Sequence, residues 1–254
     1  MPVIAMTREL GCLGNDIANG LARDLGLRLV THETVERLAL RTPLAAAAVL
    51  RCIEDRPTLL ERLRADLSGL SIYAAEEIYE LAAVGDVVIR GWGATYLLRS
   101  VPHVLCARVC APLEIRAHRV MERAGLDNLE QACDEIRRRD AARAAAMRRR
   151  FGFAWDQSAR YDLVLNTEHV GVERCIAQIK RALEFAEYQP TLRSRTHLNV
   201  LALVRLACVV AVGTAVAGDR AAEPGGEVTL SAGSILVQGT VDASARRSSS
   251  APPP

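Results

Sequence analysis

The chain has 254 residues, half of them apolar, which is enough for a sizeable core and fits one domain or two. Its 32 basic and 30 acidic side chains leave a net charge of +2, so no nucleic-acid partner is expected. The seven cysteines form no CxxC pair, and no basic start with a long apolar run opens the chain, so we expect a cytoplasmic protein with reduced thiols, no zinc site and no secretory signal.

The first 30 residues predict a strand, a glycine-containing loop and a helix, followed by a second strand. Residues 3–6 are an apolar run, and apolar side chains recur at helical spacing over 17–25, where Gly26 ends the helix. The second strand is predicted at 27–30. Residues 33–84 are predicted to be mostly helical.

Strands and helices continue to alternate along the chain. Further strands are predicted at 87–89, 104–110 and 161–167, and further helices at 113–123, 130–150 and 172–187. Continuous apolar runs suit strands that are buried on both faces of a parallel sheet. We therefore predict a three-layer α/β domain over residues 1–188, built on a doubly wound parallel sheet. Ligands bind such sheets beyond the carboxyl ends of the strands.

The rest of the chain has a different composition. We predict a linker at 189–197 and a small α+β or partly disordered appendage at 198–247, with a hairpin formed by 228–230 and 235–241. The composition of 248–254 predicts disorder. The apolar run 206–217 is too short to span a bilayer.

The loop from Thr7 to Asp16 lies between the first strand and the first helix, where backbone N–H groups and a helix N-terminus favour an anion. A standard P-loop also needs a Lys for the β and γ phosphates and a Ser or Thr for Mg²⁺. The only Lys in the chain is Lys180, which is far along the sequence, so Arg8 is the cation that could substitute. Asp16 stands near the Ser/Thr position, and it either helps to hold Mg²⁺ or weakens triphosphate binding.

The segment from Thr7 to Ala18 resembles the variant P-loop of the cytidylate kinase-like family, close to S-R-E-x-G-S-G-G-x-x-I-A, which also lacks the usual Lys. Thr7, Cys12 and Leu13 depart from that pattern. Leu13 matters most, because a side chain now stands where backbone might approach a phosphate. The resemblance implies that nucleotide phosphates contact Thr7, Gly11, Cys12, Gly14, Asn15 and Asp16.

A second match follows the strand at 87–89. The family has G-R-G-A where this chain has Gly91, Trp92, Gly93 and Ala94, so Trp92 replaces the Arg that is expected to bind the substrate phosphate. Trp92 could stack on a base or simply pack. Arg90 is adjacent, but on an extended chain its side chain would point the other way.

Two more matches complete the series. The run from Ala111 to Arg116 is similar to the family's A-P-L-x-x-R, which implies that Arg116 binds substrate. The set Arg139, Asp140 and Arg143, followed by Trp155-Asp156 and by the strand 161–167, resembles the family's lid, turn and last strand. Together the matches run from Val3 to about Glu187 in the family's order.

The Arg-rich helix at 130–150 suits a helical lid on physical grounds. Phosphoryl transfer needs cations around the phosphate oxygens and exclusion of water. Arg139 and Arg143 share a helix face, so we expect them to act in catalysis with Arg8, while the other arginines are solvated. Asp140 either orients these arginines or meets the sugar, and Glu9 is either a base or the partner of an Arg.

The resemblance implies a nucleoside monophosphate kinase that uses ATP and Mg²⁺ and acts on a nucleotide such as CMP. The alternative is a catalytically impaired pseudokinase that binds nucleotide and has a regulatory or partner-binding role. A third hypothesis is a binding module that acts through the basic helix or the tail. The tail weakly resembles a BON domain between Glu227 and Val241, which implies membrane or protein contact there.

Overall fold

The computed structural model describes residues 1–30, 67–91, 93–125, 127–152 and 154–203. Within them, five strands form one parallel sheet in the order β2-β3-β1-β4-β5. The strands are β1 Val3–Arg8, β2 Arg28–Val30, β3 Val87–Arg90, β4 Val104–Cys110 and β5 Leu163–Asn166. This arrangement confirms the predicted doubly wound α/β fold.

Helices cover both faces of the sheet. They are α1 Gly14–Leu25, α2 Leu67–Val84, α3 Ala94–Leu97, α4 Leu113–Ala124, α5 Leu129–Phe151 and α6 Val172–Leu183, followed by a helix over 192–203 that we call α7. We call α5 the lid helix. Short 3-10 turns lie at Ser158–Arg160 and Ala186–Tyr188.

Alternation along the strands separates two cores. Val3, Ala5, Ile89 and Cys106 face one side, where they pack with α2, α3 and Leu198 of α7. Ile4, Met6, Val88, Leu105 and Val109 face the other side, where they pack with α1 and α6. β1 lies at the centre of the sheet. Its first four residues are buried, as the unbroken apolar run over 3–6 predicts for a strand covered on both faces.

The strand register aligns the carboxyl ends at one edge of the sheet. Met6 of β1 pairs with Arg90 of β3 and with Ala107 of β4, and Cys110 of β4 pairs with Asn166 of β5. The loops after β1, β3, β4 and β5 therefore meet at this edge, which we call the carboxyl edge.

The chain divides into Met1–Leu206 and Ala207–Pro254, and all described residues belong to the first unit. The segment predicted as a linker, 189–197, contains the start of α7, where Thr191 and Ser194 exchange side-chain and backbone hydrogen bonds in a capping box. The predicted appendage lies outside the described residues from residue 204 onward, as does 248–254. Both remain predictions, and so does the domain boundary at 188. No helix in the described ranges is long and apolar enough to cross a membrane.

Candidate active site

The loop between β1 and α1 has the tight geometry of an anion site. Gly11 has φ +82° and Leu13 has φ +61°, and the Leu13 carbonyl accepts a hydrogen bond from the Ile17 N–H of α1 at 3.1 Å. Leu13 therefore stands directly before α1 in the left-handed conformation. Glycine adopts this conformation readily, whereas a residue with a Cβ is strained there by roughly 1–2 kcal/mol. The family pattern has Gly at position 13, and the positive φ of Leu13 explains why Gly suits this position.

Two glycines let this loop approach its neighbours closely. A Cβ on Gly11 would lie 2.6 Å from the carbonyl oxygen of Arg116, at the start of α4. A Cβ on Gly14 would lie 2.7 Å from the Cβ of Arg8. Any side chain at either position would displace the loop from the sheet edge. Gly11 and Gly14 thus have a structural role that is independent of phosphate contact.

The Cys12 side chain turns away from the loop surface. Its thiol is buried in the core on the α1 side of the sheet, and burial raises its pKa. The Cys12 carbonyl accepts a hydrogen bond of 2.9 Å from the Thr167 hydroxyl, and Arg119 donates to Thr167 in turn. Any contact of Cys12 with a phosphate would therefore come from its backbone. The sequence analysis gave Thr167 no role, although it fixes this loop from the end of β5.

The lid helix reaches the loop through Arg143. Its Nη1 donates to the Arg8 carbonyl oxygen at 2.5 Å, and its guanidinium lies 5.6 Å from the centre of the Trp155 ring. Arg8 itself lies in β1, and its aliphatic carbons pack against Gly14. Arg143 is therefore placed beside the N-terminal end of α1, where a phosphate is expected.

Arg90 joins the same cluster, which corrects the sequence analysis. Arg90 follows Val88 on the face of β3 that packs on α1, and its Nη1 donates to the Oδ1 of Asn15 in the first turn of α1. Burial and the nearby charge of Arg143 lower the pKa of Arg90. The expectation that Arg90 points away from position 92 misapplied strand alternation, which puts residues two apart on the same face. The chain turns directly after β3, at Gly91, with φ +86°.

A second pair of arginines is committed to carboxylates. Arg108 of β4 pairs with Glu9 at 2.6 Å, and Arg116 of α4 pairs with Glu9 at 3.4 Å and with Asp140 at 2.6 Å. Arg108 and Arg116 are more than nine-tenths buried. The structure therefore favours Glu9 as the partner of an arginine over Glu9 as a base. It favours Asp140 as a residue that orients an arginine over a contact with the sugar.

These contacts tie the loop to the lid helix. Arg116 also donates to the Ala111 carbonyl at 2.9 Å, so a substrate contact would require it to leave a protein partner. Arg108 donates to the Trp155 carbonyl at 2.6 Å and lies 4.9 Å from the centre of its ring. The sequence analysis missed Arg108, because an Arg inside an apolar strand gives no sign of the partner it will meet.

Two predicted site residues lie apart from the cluster. Arg139 pairs with Glu135 at 2.5 Å on the lid helix and is about half exposed. Asp16 pairs with Arg123 of α4 at 2.7 Å. The structure therefore brings Arg143 to the loop but not its predicted companion Arg139.

The remaining predicted residues frame the loop. Thr7 lies within β1 opposite Arg108, and Gly91 and Gly93 adopt positive φ values around the turn from β3 to α3. Phe151, at the end of the lid helix, packs on Gly93 and lies 4.8 Å from Tyr96 between ring centres. Trp92 is outside the described residues. The C-terminal end of the lid helix thus contacts the turn after β3, while Arg143, further back along the helix, contacts the loop after β1.

With this geometry in place, comparison with known proteins identifies the fold and its relatives. The family model described as cytidylate kinase-like family matches residues 3–169. The chain belongs to the cytidylate kinase-like family. A curated cytidylate kinase from Ignicoccus hospitalis is 30% identical over 188 residues, which cover 72% of this chain and 99% of that protein. One from Pyrobaculum aerophilum is 29% identical over 177 residues, 69% of this chain and 89% of that protein.

A solved structure agrees with the fold. An uncharacterized protein from Eubacterium ventriosum superposes with a TM-score of 0.57 at 20% identity, covering 72% of this chain and 99% of that one. Family membership confirms the resemblance stated from the sequence and supports nucleotide binding by a kinase-like domain.

Proposed function

We propose that this chain transfers the γ-phosphoryl group of ATP to a nucleoside monophosphate, with CMP as the first acceptor to test. The observation that carries the proposal is the contact between Arg143 and the Arg8 carbonyl, because it sets a lid cation beside an anion-binding loop. The curated relatives named above, which are cytidylate kinases, support the same reaction.

Each part of the cluster has a defined task in this reaction. The backbone N–H groups of the loop and the N-terminus of α1 hold phosphate oxygens of the donor. Arg143 and Arg90 neutralise the charge that spreads over the transferred group. The lid helix, packed through Phe151 on the turn after β3, excludes water from the transfer. The ion pairs that Glu9 forms with Arg108 and Arg116 fix the positions of these parts relative to one another.

Magnesium fits this site only as an ion that arrives with the nucleotide. In the described part of the chain no three His, Cys, Asp or Glu side chains form a metal cluster, and Asp16 is paired with Arg123. Mg²⁺ commonly uses one or two carboxylates together with substrate phosphates and water. Asp16 is the side chain that would contact it, and the ion would neutralise charge on the nucleotide phosphates.

A catalytically impaired nucleotide-binding protein is the second candidate function. Leu13 places a side chain in the loop at a positive φ, and Arg139 is paired with Glu135 instead of lying with Arg143. Both features reduce the contacts available to a transferring phosphate. Such a protein would bind ATP without transferring its phosphate.

One assay separates the two functions. Labelled ATP with Mg²⁺ is incubated with purified full-length protein and a panel of CMP, UMP, AMP and GMP, and ATP binding is measured in parallel by calorimetry. Transfer to at least one acceptor supports the kinase, with CMP expected to be the best. ATP binding without any transfer supports the impaired form, and the absence of both, from folded protein, contradicts each proposal.

A further inference from the structure

A cavity of about 230 Å³ lies at the opposite edge of the sheet from the carboxyl edge. It lies between the end of α2, the segment before β4 and the helix α7, all within the first unit of the chain. Its wall includes the side chains or backbone of Met1, Ala82, Ala83, Gly85, His103, Pro190, Arg195, Leu198 and Asn199. No residue assigned above to phosphate binding lines this cavity.

His103 in this wall has an unmet hydrogen-bonding group. The residue is 3% exposed, and its buried Nδ1 has no hydrogen-bond partner in the described part of the chain. Burial and the nearby charges of Arg195 and of the N-terminal amino group lower the pKa of His103. A buried polar atom without a partner is costly, and it usually marks a place where water or a ligand binds.

The charge around the cavity favours an anion. Arg195 forms no ion pair within the described ranges, and it lies in the second turn of α7, whose N-terminal end carries partial positive charge. Asn199 lies one turn further along and can also donate. Arg195 is the one Lys, Arg, Asp or Glu among the wall residues named above, so the cavity suits a single negative charge.

The remaining wall is apolar and small. Ala83 and Pro190 provide an accessible apolar surface, and the volume is below the ~300 Å³ at which drug-sized sites begin. We propose that this cavity is a second ligand site, separate from the nucleotide site, for a small organic monocarboxylate whose carboxylate meets Arg195 and whose apolar body packs on Ala83 and Pro190. The amide of Asn199 fixes its orientation.

The test uses benzoate and hexanoate as probes, with benzamide and hexanamide as uncharged matches. Each is titrated into full-length protein at neutral pH and followed by calorimetry to about 10 mM, which covers weak small-ligand affinities. Benzoate or hexanoate is expected to bind saturably, and the amides are not. If neither carboxylate binds, the cavity holds water only and the proposal is overturned. Equal binding of the amides overturns the anion assignment.

Variants locate the binding to this cavity. Arg195→Gln should weaken carboxylate binding roughly ten-fold through the loss of a charged hydrogen bond, whereas Arg193→Gln, on the same helix but outside the cavity wall, should leave it unchanged. Ala83→Leu, at an exposed position on the rim, should abolish binding by filling the cavity. Circular dichroism checks that each variant is folded. Equal loss in both arginine variants, or full binding by Ala83→Leu, would place the probe elsewhere and overturn the proposal.

Discussion

Two pairs of arginines lie at the carboxyl edge, and the two pairs differ in their partners. Arg108 and Arg116 are buried and ion-paired with Glu9 and Asp140. Arg90, by contrast, bonds to the amide of Asn15, has no carboxylate partner among the described residues and lies close to Arg143. Arg108 and Arg116 are held by carboxylates and build the site, whereas Arg90, held close to the positive charge of Arg143, favours a bound anion. The predictions below test this division.

The largest effect is expected from Arg143→Ala. Removing a preorganised cation that faces the transferring phosphate costs about 10²–10³-fold in turnover. The measurement is kcat/KM for transfer of labelled phosphate from ATP to CMP. Arg137→Ala is the matched control, because Arg137 lies on the same lid helix, pairs with Asp134 and is exposed. If the two variants lose the same activity, Arg143 does not stabilise the transferring phosphate more than an exposed arginine does.

Glu9→Gln should lower stability more than any change in the phosphate-facing pair. It leaves the buried guanidinium of Arg108 without its charge partner, and breaking a buried pair in this way costs about 3–5 kcal/mol. Urea denaturation gives the free energy of unfolding. Glu168→Gln, at a carboxylate near an exposed histidine, should change it by less than about 0.5 kcal/mol. If the urea midpoint of Glu9→Gln equals that of the wild type, the ion pair between Glu9 and Arg108 does not stabilise the fold.

Arg90→Gln tests the residue that the sequence analysis set aside. Loss of one charged hydrogen bond to a phosphate costs about 1.5–3 kcal/mol, or roughly ten- to a hundred-fold in kcat/KM. The unfolding midpoint should stay unchanged, because Arg90 has no buried carboxylate partner in the described ranges. Arg90→Lys should recover part of the activity. Full activity in Arg90→Gln would remove Arg90 from the phosphate cluster.

The smallest effect is expected from Leu13→Gly. The change removes left-handed strain at Leu13 and adds freedom to the unfolded chain, so the net gain in stability is at most about 1 kcal/mol. It also opens backbone to phosphate, so the affinity for ATP measured by calorimetry should rise. Weaker ATP binding would indicate that the Leu13 side chain contributes to the site.

The fold could be predicted because its signals are local. Short, mainly apolar segments predicted the five strands, and the glycine-containing loop predicted the position of the anion site. The ion pair between Glu9 and Arg108 joins residues 99 positions apart, and no periodic pattern records such a contact. Arg90 was misjudged because strand alternation was misapplied: residues 90 and 92 are two positions apart, so on an extended strand their side chains face the same side.

The most direct test compares one residue of each arginine pair with two readouts. Arg143→Gln and Arg108→Gln are measured for phosphate transfer from ATP to CMP and for the midpoint of thermal unfolding. The division predicts that Arg143→Gln loses transfer at an unchanged midpoint, while Arg108→Gln unfolds at a clearly lower temperature. Arg143→Gln with full transfer, or Arg108→Gln with the wild-type midpoint, would contradict it.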